Sequence, residues 1–276
     1  MGGNEVESGS VVAINHRGPG LRPCGLPPGY SDIPSGLRRG GGLQTTRNRL
    51  FRIKYAASLS SGYSFVNKPQ IVWHPSLVSR EQREATNGHK AAVVWFTGLP
   101  GSGKSTTAYG VERELFELGC QTYVLDGDNV RHGLSGDLGF SPEHRSEHLR
   151  RVAELSRLVY DSGMIVLCAF VSPTRASRDK VRALIPPGAF FEAYCHCPVS
   201  VCAERDPKGF YARAQAGQIK DYTGVSAPYE EPAAPELLID TATQSVAQCT
   251  AEVIRLLQSR GIIRPSATRT PAARGN

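Results

Sequence analysis

Four clusters of residues carry types and spacings that suit phosphate chemistry. In the first, the apolar run Val93-Val94-Trp95-Phe96-Thr97 meets Gly98-Leu99-Pro100-Gly101-Ser102-Gly103-Lys104-Ser105-Thr106. This is the G-x-x-x-x-G-K-[ST] pattern after a strand-like run and before a helix-like segment from Thr107 to Leu118. The glycines let the backbone turn its N–H groups inward into an anion-binding nest. The helix start adds the positive end of its dipole. Lys104 is then predicted to reach the β- and γ-phosphates of a nucleotide, and Ser105 to ligate Mg²⁺. The plain alternative, a glycine-rich turn that binds nothing, does not explain why strand and helix signals match on both sides.

The second cluster is Leu125-Asp126-Gly127-Asp128-Asn129-Val130-Arg131-His132-Gly133-Leu134. Two carboxylates flank a glycine at the end of a strand-like run. Asp128 is placed to orient Mg²⁺ or to accept a hydroxyl proton, and Arg131 to hold an anion; the plain alternative is a turn with an Asp cap. The third, Phe140-Ser141-Pro142-Glu143-His144-Arg145, reads as a Ser cap with Pro at the first helical position. Arg145 and His148 share one face of that helix, although each alone reads equally as a solvated or core side chain. The fourth, from Ala203 through Arg205, Asp206, Pro207, Lys208 and Gly209 to Arg213, leads on to Lys220-Asp221-Tyr222-Thr223-Gly224. Basic residues between glycine and proline hinges suit a mobile lid over a transferring phosphate; a plain basic loop is the alternative.

These clusters need a frame, and the hydrophobic pattern predicts one. Strand-like runs at Ala92–Thr97, Thr122–Asp126, Ile165–Phe170, Phe190–His196 and Leu237–Asp240 alternate with helix-like segments at Ser105–Leu118, Pro142–Ser162, Thr174–Leu184, Val199–Arg205 and Val246–Leu257. Short apolar strands alternating with helices argue an α/β fold, a parallel sheet with helices on both faces. Phosphate sites in such sheets lie at the carboxyl ends of the strands, where most of the polar clusters fall. The predicted domain spans 88–263, with an edge segment at 69–87 that includes a short polar helix from Ser79 to Ala85. Residues 1–68 are rich in Gly, Pro, Ser and Arg, and they and 264–276 are expected to be disordered. No acidic residue occurs between Ile33 and Arg80. That chemistry is transit-peptide-like, but Glu5, Glu7 and Asp32 precede it, so a solvated basic tail is preferred.

The 276 residues are 40% hydrophobic, enough for a full core, and no apolar run is long enough to span a membrane. The net charge of +7 suits an enzyme of polyanionic nucleotides, and nucleic acid is not expected as a partner. Seven cysteines lack C-x-x-C spacing and no secretory signal is visible, so reduced thiols and a cytoplasmic location are expected, with a plastid or other organelle as the alternative through the basic extension. Cys195-His196-Cys197 with Cys202 is read as buried structure rather than as a metal cluster.

Taken together these residues resemble the adenylyl-sulfate kinases (APS kinases) over about 70–260, the Asp126-Gly127-Asp128-Asn129-Val130-Arg131-His132-Gly133 run being far more specific than a phosphate loop alone. Trp95-Phe96-Thr97-Gly98-Leu99 with the phosphate loop, Asp137-Leu138-Gly139-Phe140-Ser141, Phe170-Val171-Ser172-Pro173 with Arg178-Asp179, and Cys202-Ala203-Glu204-Arg205-Asp206-Pro207-Lys208-Gly209 carry the likeness further. The resemblance implies a P-loop kinase fold and transfer of phosphate from MgATP to the 3′-hydroxyl of adenosine 5′-phosphosulfate, giving PAPS. It implies a homodimer and a functional link to an ATP sulfurylase. It matches Asp128 to the catalytic aspartate, Arg131 and Arg145 to arginines on the phosphosulfate, and Phe140 to an aromatic on the APS adenine. Val171 and Ser172 match a substrate-site Ile-Ser pair, Lys208 and Tyr222 lid positions over APS, and Arg205 an arginine near the ATP adenine. A phosphoserine intermediate is ascribed to that serine in the family; direct in-line transfer is preferred here, because a positioned hydroxyl and Mg²⁺ suffice.

The chain also departs from the family pattern. His148 stands where Asn is usual, Asp221 where Gly is usual, Tyr222 where Phe is usual, and Gly224-Val225-Ser226-Ala227-Pro228-Tyr229 replaces a Gly-Ile-Asp-type stretch. Plant members place a regulatory cysteine pair near Ser76 and Thr122, so that switch is not expected. From His148 we expect APS affinity to strengthen as pH falls through the ordinary histidine range. A different small-metabolite kinase, or a nucleotide-binding regulator without catalysis, are the competing readings; Arg131, Phe140 and Arg145 speak against the first, and Lys104, Ser105 and Asp128 against the second.

Overall fold

Five apolar runs form strands: β1 (Ala92–Thr97), β2 (Thr122–Asp126), β3 (Ile165–Ala169), β4 (Phe190–His196) and β5 (Leu237–Asp240). The computed structural model describes Val72 and residues 74–264. Within these, the strands make one parallel sheet in the order β2-β3-β1-β4-β5. The helices are α1 (Arg80–Asn87), α2 (Lys104–Glu117), α3 (Gly127–His132), α4 (Pro142–Asp161), α5 (Arg175–Arg182), α6 (Val199–Arg205), α7 (Phe210–Gln215) and α8 (Val246–Ser259).

β1 is central, and all its residues are buried, which explains a run apolar on both faces. Val94 sits between Leu167 of β3 and Phe191 of β4. Successive side chains point to opposite faces. Val94 and Phe96 join Val111 and Leu115 of α2 with Val253 and Leu257 of α8. Val93 and Trp95 join Leu149 and Val152 of α4 with Val181 of α5. A Cβ at Gly110 would lie 2.5 Å from Thr250 Oγ1, so this glycine lets α2 and α8 approach closely.

Helix α1 starts from a capping box between Ser79 and Gln82 and ends at Gly88. It is tied to the domain by Asn87, which donates to Gly163 O (3.0 Å), and by Glu84, which accepts from Ala91 N (3.0 Å). Two short helices go beyond the sequence reading. α3 forms where a turn competed, and α7 forms inside the segment read as a lid; neither is long enough to show periodicity. The readings made for 1–68 and for residues beyond 264 lie outside the described residues. Among the described residues, no helix is long and apolar enough to cross a membrane.

Candidate active site

The carboxyl ends of β1, β2 and β3 open into a cavity of about 1110 Å³. On its floor, β1 passes into the loop 98–103. A Cβ at Gly98 would lie 2.6 Å from Cys195 O, so only glycine fits where the loop folds against β4. Gly103, with φ +81, starts α2 at Lys104. The Lys104 ammonium is buried and donates to Leu99 O (2.6 Å). Burial pulls its pKa down to about 8. Most predicted loop residues line the cavity, but Gly98, Leu99 and Ser102 do not. Ser102 is fully buried behind the loop, and Leu99 faces a smaller cavity beside Gly224 and Tyr229.

Ser105 donates to Asp126 Oδ2 (2.6 Å). Asp126 Oδ1 accepts from the backbone N–H of Asp128 (2.9 Å) and so caps α3. The sequence reading offered an Asp cap here only as the plain alternative, without saying which Asp; the cap is Asp126. Asp128, on the first turn of α3, is exposed to the cavity and pairs with Lys208 from the lid. Ser105, Asp126 and Asp128 thus present oxygen donors only, the chemistry that suits Mg²⁺ held by a few protein oxygens together with phosphates. Cys195, Cys197 and Cys202 are buried, and among the described residues no group of three or more His, Cys, Asp or Glu is placed to hold a metal.

Across the cavity, Arg131 lies over the Phe140 ring (4.5 Å) and donates to Gly139 O (3.1 Å). Phe140 is 67% exposed, an open aromatic platform. Arg145 donates from Nε to Phe140 O (2.8 Å), and from its two terminal nitrogens to Thr223 Oγ1 (3.2 Å) and Asp221 O (2.7 Å). The lid is therefore tied to α4. Asp221 takes φ +56, the region glycine favours, which explains why Gly suits that position.

His148 lines the same cavity but is only 5% exposed, with its ring edge-on to Phe170 (5.6 Å) and its Nδ1 without a partner. Burial, with Arg131 and Arg151 nearby, lowers its pKa to about 4. This corrects the expectation that His148 titrates near neutral pH.

Val171 and Ser172 line the cavity just beyond the end of β3. The Ser172 hydroxyl is buried, accepting from Trp95 Nε1 (3.0 Å) and donating to Thr97 Oγ1 (3.0 Å). Its φ of +38 is strained for a serine. The buried Arg178, paired with Glu192 (2.6 Å), donates to Ser172 O (2.7 Å) and Glu230 O (2.7 Å). Arg205 donates to Thr241 O (2.7 Å), and Tyr222, in the segment read as a lid, packs edge-on against Tyr211 (5.1 Å). Thr97 and Arg178 stand in motifs of the resemblance but, like Thr241, were given no role, because their partners are remote in sequence.

A family model for adenylylsulphate kinase matches residues 90–240. The chain belongs to the adenylylsulphate kinase family. An adenylyl-sulfate kinase of Acaryochloris marina is 50% identical over 196 residues, 71% of this chain and 96% of that protein. A probable adenylyl-sulfate kinase of Bacillus subtilis is 50% identical over 197 residues, 71% of this chain and 99% of that protein. Among solved structures, the Mycobacterium tuberculosis APS kinase CysC in complex with AMPPNP and APS is 46% identical, with a TM-score of 0.59. That likeness covers 62% of this chain and 99% of the mycobacterial one. Most of the phosphate loop, and Asp126, Gly127, Asp128, Asn129 and Arg131 of the second run, line one cavity.

Proposed function

We propose that the chain transfers the γ-phosphate of ATP to the 3′-hydroxyl of adenosine 5′-phosphosulfate, giving PAPS and ADP. The observation that carries this is the convergence of Lys104, Asp128, Arg131, Phe140 and Arg145 on one cavity. The phosphates of ATP lie on the loop N–H groups at the start of α2, with Lys104 turning from Leu99 O to the β- and γ-phosphates. Ser105 and Asp126, with Asp128 beside them, would hold Mg²⁺, which when bound neutralises charge on those phosphates. The APS adenine stacks on Phe140, and Arg131 and Arg145 take the phosphosulfate. Asp128 leaves Lys208 and accepts the 3′-hydroxyl proton as the oxygen attacks phosphorus in line. Val171 and Ser172 form the wall against which the acceptor is aligned, with His148 behind it. Lys208 and Tyr222 close the lid over APS, and Arg205 lies near the ATP base.

Ser172 is kept as a structural hydroxyl in this scheme, because its oxygen is already bonded within the core. The enzyme is proposed to act as a homodimer and to draw APS from an ATP sulfurylase. A coupled ADP-release assay with APS as acceptor tests the reaction: ADP must appear only when both ATP and APS are present. Release of ADP with sugar acceptors and not with APS would refute it.

A further inference from the structure

The wall formed by the loop after β5 and the start of α8 joins the phosphate loop directly. Thr241 Oγ1 donates to Ser102 O (2.9 Å), and Gln244, Val246 and Cys249 continue that wall along the cavity beside Arg205. The acceptor-side groups, Arg131, Phe140 and His148, lie on the α3–α4 side instead. With phosphates on the loop, the wall at 241–249 meets the nucleoside end of the donor.

One side chain in this wall has its hydrogen-bonding direction fixed. Gln244 Nε2 donates to Glu252 Oε1 (2.7 Å). An ionised carboxylate only accepts, so the amide must turn its NH₂ end toward Glu252. The flipped amide would set two acceptors against each other. The amide oxygen consequently faces the other way, toward the Cys249 thiol, which donates weakly to it (3.7 Å) from within the cavity wall. A base lying over Cys249 and Val246 therefore meets an acceptor.

We propose that Gln244 is a specificity-determining residue for the donor base, and that Glu252 is the positioning residue that presents its amide oxygen. Adenine carries a donor at C6, its exocyclic amine, and hypoxanthine and guanine carry an acceptor there. Gln244 Oε1 accepts from the first and repels the second. This rests on the reading of ATP as donor, and it adds a reason why an adenine nucleotide is chosen over other purine triphosphates.

ATP and ITP differ at C6 with little change in size, so they are the probes. Wild type should show kcat/KM for ATP at least about tenfold above that for ITP, as expected where a polar group of the site loses its partner. Glu252→Gln frees the amide to turn, and Gln244→Leu removes the acceptor. In both the ATP/ITP ratio should fall several-fold toward unity, through the KM for nucleotide. Melting temperature, measured on each variant, separates this from unfolding, because loss of fold lowers activity with both nucleotides and leaves their ratio in place. A wild type that uses ATP and ITP equally overturns the inference while leaving the kinase reading intact. Folded variants that both keep the wild-type ratio overturn it too. A wild type that consumes no ATP in the presence of APS overturns both.

Discussion

Replacing His148 by asparagine should remove a pH-dependent instability from the protein. The folded-state pKa is lowered to about 4 from the ordinary 6.5, because burial penalises the charged ring and Arg131 and Arg151 repel it. Between those values the unfolded chain binds a proton that the folded chain does not. Stability from this group is therefore intact above about pH 6.5 and falls as pH drops toward 4. Linkage between those two pKa values gives a loss near zero at pH 7 and about 2 kcal/mol at pH 5. Asparagine has no charge to gain, so His148→Asn should gain about 2 kcal/mol on wild type between pH 7 and pH 5. Urea unfolding of both proteins at the two pH values measures it. A stability difference that does not change with pH would refute the burial argument. The same reasoning makes the ring neutral across pH 5.5 to 8, so the APS affinities of wild type and His148→Asn should run parallel over that range, contrary to the expectation from sequence.

Lys104→Met should abolish phosphate transfer, since several kcal/mol of charge stabilisation is lost, and should leave the melting temperature of the empty protein equal or higher, because a buried ammonium is removed; measurable turnover would rule out the role given to Lys104. Asp128→Asn should remove most of kcat yet retain ATP binding, read by nucleotide titration and steady-state kinetics; a collapse of ATP affinity with kcat preserved would contradict the assignment. Ser172→Ala should destabilise the fold by about 1–3 kcal/mol, because Trp95 Nε1 loses its buried acceptor, and should keep transferring phosphate; a folded but wholly inactive variant would favour a covalent serine role.

The sheet was legible because its inner strands are buried on both faces, so Val93 to Phe96 and Ile165 to Ala169 stand out as continuous apolar runs. The phosphate loop was legible because its chemistry is local: glycines, lysine and serine act within one turn of chain. Local signals fail where a side chain's surroundings come from elsewhere. His148 looks like a neighbour of Arg145 on a helix, and only Phe170, arriving from the end of β3, shows that its ring is enclosed. Asp126 and Asp128 are indistinguishable by type, and it is Ser105 from another helix that separates their roles. Arg178 stands in the sequence without a role, and only Glu192 and the carbonyls of Ser172 and Glu230, closing around it from elsewhere, show what it holds.

Arg145 is bonded to Phe140, Thr223 and Asp221 at once. Each terminal nitrogen carries a second N–H beyond these bonds, so it is an anion claiming the two N–H groups now given to Thr223 and Asp221 that would displace those residues. The count of hydrogen bonds changes little in that exchange, so the acceptor's affinity is a difference between two sets of contacts and is weaker than the new ion pair alone would suggest. When product leaves, the same bonds re-form, so clearing the site is assisted by contacts the protein makes with itself.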